Sequence, residues 1–214
     1  MLEMKGWDQQ TKEDYIFRAL SMPSKFGNIA KAYITQDNQI SLETSKRIAN
    51  PNALNLYVLG FDLRKNLTTL PEAAKINLAT YMEQFRMLTD AINIKAAYIV
   101  NIGVEFDVIP KPNFNSNEVI LSCIDRLKTL LHIDRMQINS VIDKSKLIAE
   151  LDKVTGVQSI PNIKIINKFT AGYSENVYDI ETATKNNQIY PSLDPMIFEV
   201  KYPDTDIKGR VIKP

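Results

Sequence analysis

Residues 71–109, PEAAKINLATYMEQFRMLTDAINIKAAYIVNIGVEFDVI, change hydrophobic period partway along, and that change decides the fold class. From Ala74 the positions Leu78, Tyr81, Phe85, Leu88 and Ile92 recur at helical spacing, while Lys75, Glu83 and Arg86 lie off the stripe. Pro71 suits a first helical turn, where its missing N–H costs nothing. The spacing predicts a helix over 71–89. From residue 96 the period falls to two. Tyr98, Val100, Ile102, Val104, Phe106 and Val108 share one face; Asn101, Gly103, Glu105 and Asp107 share the other. A strand over 96–109 follows, with one buried face and one that becomes wetter along its length. Pro110 and Pro112 end it.

On the N-terminal side, residues 11–22 predict a short helix with Thr11 as N-cap, Glu13 and Asp14 in its first turn and Pro23 beyond its end. Residues 28–35 alternate as a strand. Gln36, Asp37, Asn38 and Gln39 predict a turn into a return strand at 40–43. Residues 44–53, with Pro51, predict a loop; 54–61 predict a buried strand, and 62–69 a second loop. On the C-terminal side, 116–132 predict a helix capped by Asn115 or Ser116, with Ile120, Ile124, Leu127 and Leu131 as its stripe. A helix over 145–154 follows, with Gly156 as its C-terminal cap, then a strand over 157–168. Residues 170–195 are rich in Asn, Thr, Ser and Tyr and too long for a plain loop, which predicts an extended arm. A last strand spans 196–202, before a polar tail.

Helices between strands make the chain α+β: a split β-α-β-like layer of sheet with helices on one face, plus the polar arm and a C-terminal strand. Three pieces are expected: a helix-strand segment over 1–50, a central domain over 51–169, and the arm with its strand over 170–214. The 214 residues can bury a core without staples. A formal net charge of +1 with mixed signs along the chain predicts no nucleic-acid partner. Cys123 is the sole cysteine, so no intrachain disulfide forms. No apolar run is long enough to cross a membrane and the N-terminus has no signal-like apolar region, which predicts no membrane partner and folding in a reducing cytoplasm.

Few residues offer chemistry. His132, the one histidine, sits at a predicted helix end, where it caps carbonyls more readily than it catalyses. Cys123 lies among Ile120, Leu121 and Ile124 and behaves as a small core residue. Glu105 and Asp107 point to the same side of a strand; they could hold a hard cation in a small metal-dependent enzyme or a ligand-binding module, or simply solvate the sheet. No phosphate loop or nucleophile elbow is present. No catalytic residue, metal site or cofactor is therefore expected. Tyr173, Tyr178 and Tyr190 lie where few aliphatics surround them, so they either serve an interface or pack back on their own domain. Phe198 and Tyr202, on the last strand, join them as interface candidates, since that strand could dock through a sheet edge or close the domain's own sheet.

Five segments carry a family resemblance: TKEDYIFRALSMPSKFGNIAKAYI (11–34), NALNLYVLGFD (52–62), YMEQFRMLTDAINIKAAYIVNIGVEFDVIPKP (81–112), IAELDKVTGVQSI (148–160) and MIFEVKYPDTDIKGRV (196–211). In this order they resemble the baseplate J-like wedge subunits of contractile-tailed phages, T-even type, over roughly residues 11–212. The resemblance implies a non-catalytic virion protein of the tail baseplate, assembled in the host cytoplasm. Its implied partners are copies of itself and other baseplate wedge subunits. The T-even-type members carry a long N-terminal region without a counterpart here, so the resemblance is to their C-terminal part.

Overall fold

In the computed structural model, residues 4–40, 47–85 and 91–213 are described. The chain is α+β and divides into two compact units, residues 1–97 and 98–214. That division falls inside the 51–169 segment expected to form one piece. Among the described residues no helix is long and apolar enough to cross a membrane.

The first unit contains helix α1 (Met4–Leu20), strands β1 (Lys31–Ile40), β2 (Arg47–Phe61) and β3 (Leu67–Thr68), helix α2 (Glu72–Glu83) and strand β4 (Ala91–Ala96). Strand β2 is central: β1 and β3 pair with it antiparallel, and β4 pairs parallel after the α2 crossover. Leu54, Leu56 and Val58 alternate onto one face of β2, where Ile34 of β1 joins them. Tyr15 and Ala19 of α1, with Ala74, Leu78 and Met82 of α2, bury against that face, so both helices lie on one side of the sheet.

Several local expectations give way here. Helix α1 begins at Met4, which places Thr11 inside it rather than at its cap. Strand β1 runs straight through the expected turn at 36–39, and β2 begins at Arg47 inside the expected loop. The register jumps there: Gln36 faces Leu54 while Asp37 faces Asn50, leaving Pro51, Asn52 and Ala53 in a bulge. Proline has no N–H to give a ladder, so a bulge is where it fits a strand. The turn residues thus mark an irregularity within a long hairpin, not its end. Positions 41–43 of the expected return strand lie outside the described residues. Helix α2 stops at Glu83, and Ile92 belongs to β4, so the helical stripe over 71–92 joins two elements.

The second unit is organised by strand β5 (Tyr98–Pro110). Antiparallel β7 (Val157–Lys168) takes one edge of it over Asn101–Pro110. On the other edge β10 (Met196–Glu199) runs parallel to Tyr98–Asn101, and β11 (Ile207–Val211) parallel to Val104–Val108. A short helix, α5 (Pro203–Asp206), connects those two strands. The expected polar tail is therefore a strand: its alternation is too short to read in one dimension, and β5 supplies the edge that orders it. Helix α3 (Ser116–Leu130) is capped by the Asn115 side chain, which accepts from the Asn117 N–H at 3.0 Å. Its buried positions are Val119, Cys123 and Leu127; Ile120 and Ile124, expected in the stripe, are half-buried beside them. Strand β6 (Ile142–Asp143) leads into helix α4 (Lys144–Asp152), capped by Asp143. Arg126 of α3 and Lys153 both hydrogen-bond Glu150, and with Lys153 the larger influence they hold its carboxyl down at about 2. Strands β8 (Thr184–Lys185) and β9 (Gln188–Ile189) form a hairpin that pairs with β6.

Gly156 ends the turn after α4 at φ +88°, in the left-handed region. A Cβ there would meet the Phe114 ring at 2.6 Å and Val119 at 2.8 Å. Strain and clash act together, so Gly156→Ala is expected to lower stability by about 2 kcal/mol or more in urea denaturation. A loss near zero would mean the turn relaxes freely.

Candidate functional site

Strand β7 reaches only as far as Asn101, so the first residues of β5 lack a strand on that edge. Residues 173–178 fill the place with side chains. The Ser174 hydroxyl and the Asn176 amide both donate to the Ile99 carbonyl, at 2.7 and 2.8 Å. The Asn167 amide donates to the Asn101 carbonyl at 3.0 Å, and its oxygen accepts from the Tyr178 N–H at 2.9 Å. Asn101, expected on a wet face, is 1% exposed. Its side chain donates to Glu199 at 2.8 Å and accepts from the Ser174 N–H at 2.7 Å. Glu199 is itself only 3% exposed. Among the described residues no buried side-chain polar atom is left without a hydrogen-bond partner.

The expected arm is thus part of the second unit. Its polar composition has a structural cause, since amides and hydroxyls replace a missing strand by satisfying main-chain groups. The turn into it passes through Thr170, Ala171 and Gly172, all at positive φ. Lys201 donates to the Gly172 carbonyl at 2.5 Å and secures the turn.

The interface candidates separate into different situations. Tyr173 donates to the buried carboxylate of Asp206 at 2.5 Å, and its ring meets that of Tyr202 edge-on at 5.3 Å. Asp206 also accepts from the Tyr202 N–H at 3.0 Å. Tyr178 lays its ring against Phe198 and donates to the Tyr190 carbonyl at 2.6 Å. Phe198 is 1% exposed, because its side chain lies on the Val100 side of the sheet, within the core. It offers nothing to a partner of the folded chain. Tyr190 is 42% exposed, and its neighbours in the segment, Val177 and Leu193, are 71% and 87% exposed.

Glu105 and Asp107 do share a sheet face. Register sets Glu105 between Lys164 of β7 and Lys208 of β11, and Asp107 between Asn162 and Arg210. The Arg210 guanidinium contacts the Asp107 carboxylate through Nε and Nη2, each at 2.9 Å. A shallow groove over this face is lined by Lys164, Lys208 and Arg210 as well as the two carboxylates. Cations, not further carboxylates, surround the pair, which is the opposite of what a hard metal ion requires. Among the described residues no group of three or more His, Cys, Asp or Glu side chains converges. His132 is exposed; its Nδ1 accepts from the Asp134 N–H at 3.3 Å and starts a turn of 3-10 helix. Cys123 is fully buried, and burial, aided by Asp152, pushes its thiol up to about 11, where it stays protonated and inert.

Neither a protein-family model nor a curated protein matches the chain. Among solved structures, one chain of the 6-fold symmetrised cryo-EM structure of the anti-feeding prophage baseplate is similar, at 13% identity and a TM-score of 0.42. The match covers 92% of the present chain and 36% of that one, so this chain spans about a third of the length of the baseplate chain it resembles.

Two outcomes follow from the network. Asn101→Ala removes a donor from buried Glu199 and an acceptor from Ser174, so a loss of about 3 kcal/mol is expected in chemical denaturation. A loss under about 1 kcal/mol would mean water replaces the amide. For Tyr173, burial first and Asp206 second push the phenol up to about 12. The folded chain keeps this proton while the unfolded chain loses it near pH 10, so the stabilisation is complete below about pH 10 and is lost as pH rises toward 12. Tyr173→Phe should flatten that alkaline fall in stability; an unchanged slope would place its cause elsewhere.

Proposed function

We propose that this chain is a structural subunit of a contractile-tail baseplate, of the J-like wedge type. It works by specific association with copies of itself and with neighbouring wedge proteins. Its place is the virion's tail, after assembly in the host cytoplasm. The observation that carries this reading is the resemblance of five sequence segments, in order, to that family.

The side-chain chemistry supports it. Three of the carboxylates that could do acid-base or metal work are engaged in holding strands together: Asp107 with Arg210, Glu199 with Asn101, Asp206 with Tyr173 and Tyr202. The 170–195 segment carries exposed apolar side chains on an ordered backbone, which suits a contact surface. Within it Tyr190, Val177 and Leu193 are the candidates to meet a partner, with the half-buried Tyr173, Tyr178 and Tyr202 holding the surface in shape.

Light scattering of the purified chain over a concentration series tests the self-association. The mass is expected to rise with concentration, and Leu193→Asp with Val177→Asp to suppress the rise while leaving the circular dichroism spectrum unchanged. A chain that stays monomeric throughout the series overturns self-association by this protein alone.

A further inference from the structure

The charged face of the second unit stops abruptly at β11. Across the sheet, one row runs Lys164, Glu105, Lys208, and the next runs Asn162, Asp107, Arg210. Sign alternates along the first row, and both rows end on a carboxylate followed by a cation at the edge. Arg210 is held by Asp107, whereas Glu105, Lys164 and Lys208 take part in no ion pair among the described residues. Beyond β11 no further strand is paired among the described residues, so its outward N–H and C=O groups form an open edge.

Charge fits this edge to receive a particular strand. On the covered face Gly209 lets β11 lie close under Phe106 and under Ile120 of α3, where a Cβ would meet them at 2.5 and 3.1 Å, while Lys208 and Arg210 are exposed on the other face. The edge also rejects its own twin. Antiparallel pairing of two copies about Gly209 would set Lys208 opposite the other copy's Arg210, and like charges directly opposed are destabilising. A strand with carboxylates at alternate positions continues both rows with the correct sign.

We infer that the outer edge of β11 is a strand-addition site for an extended segment of a partner protein that carries carboxylates at alternate positions. Main-chain hydrogen bonds supply affinity, and the pairing of those carboxylates with Lys208 and Arg210 selects the sequence and the register. The site rests on this edge alone and goes beyond the assembly reading. A chain that binds such a strand yet never self-associates would overturn self-association and leave the site standing.

The test titrates the full chain, at low ionic strength, with a blocked heptapeptide alternating valine and glutamate and with its valine-glutamine counterpart. The acidic peptide is expected to bind about tenfold more tightly. It should also slow hydrogen exchange of the β11 amides. Lys208→Glu, at a position free of ion pairs, should reduce or reverse that preference, and Lys208→Ala should weaken it. Equal affinity for the two peptides, binding by neither, or binding without protection of β11 would each overturn the inference.

Discussion

A strand at the centre of a sheet must have both of its edges satisfied, and β5 is the strand on which the second unit depends. Buried main-chain donors and acceptors left unpaired cost as much as a lost hydrogen bond. Strand β7 covers β5 from Asn101 onward, but Ile99 lies beyond its reach. Side chains from the C-terminal part of the chain answer that shortfall, and others there tie the neighbouring elements together. Ser174 and Asn176 occupy the Ile99 carbonyl, Asn101 turns its amide to Glu199, and Asp206 gathers Tyr173 and the Tyr202 main chain. Two short parallel strands then complete the opposite edge.

The first unit meets the same demand around β2 with strands alone: β1 on one side, β4 and the short β3 elsewhere along it. Its helices cover one face, and the apolar alternation of Leu54, Leu56 and Val58 fits that arrangement directly. No polar segment is needed. In the second unit, by contrast, the side chains of Asn167, Ser174 and Asn176 satisfy the β5 main chain where strands run out.

Asp107, Glu199, Asp206, the Asn101 amide and the Tyr173 phenol are all engaged in holding the second unit together. The ordered 170–195 segment holds exposed apolar groups on a fixed backbone, and the β11 edge presents unpaired main chain beside two cations. In the readings proposed above, the first would serve association through apolar contact and the second through main-chain hydrogen bonding with charge selection.

The sequence by itself determined the elements whose periodicity is strong and local. The strands at 54–61 and 157–168, the β5 alternation, and the helices that became α2, α3 and α4 all follow from spacing and caps within a few residues. It also placed Glu105 and Asp107 on one face, and Cys123 in the core. It could not show that Pro51 sits in a bulge of a continuous strand, that β11 is a strand at all, or that residues 173–178 belong to a sheet edge. Nor could it tell that Asn101 is buried, since an alternating strand looks the same whether its second face meets water or Glu199. Tertiary structure decided these points because each depends on a partner far along the chain. Period and cap chemistry are properties of neighbours in sequence; which strand or side chain satisfies an edge is a property of neighbours in space.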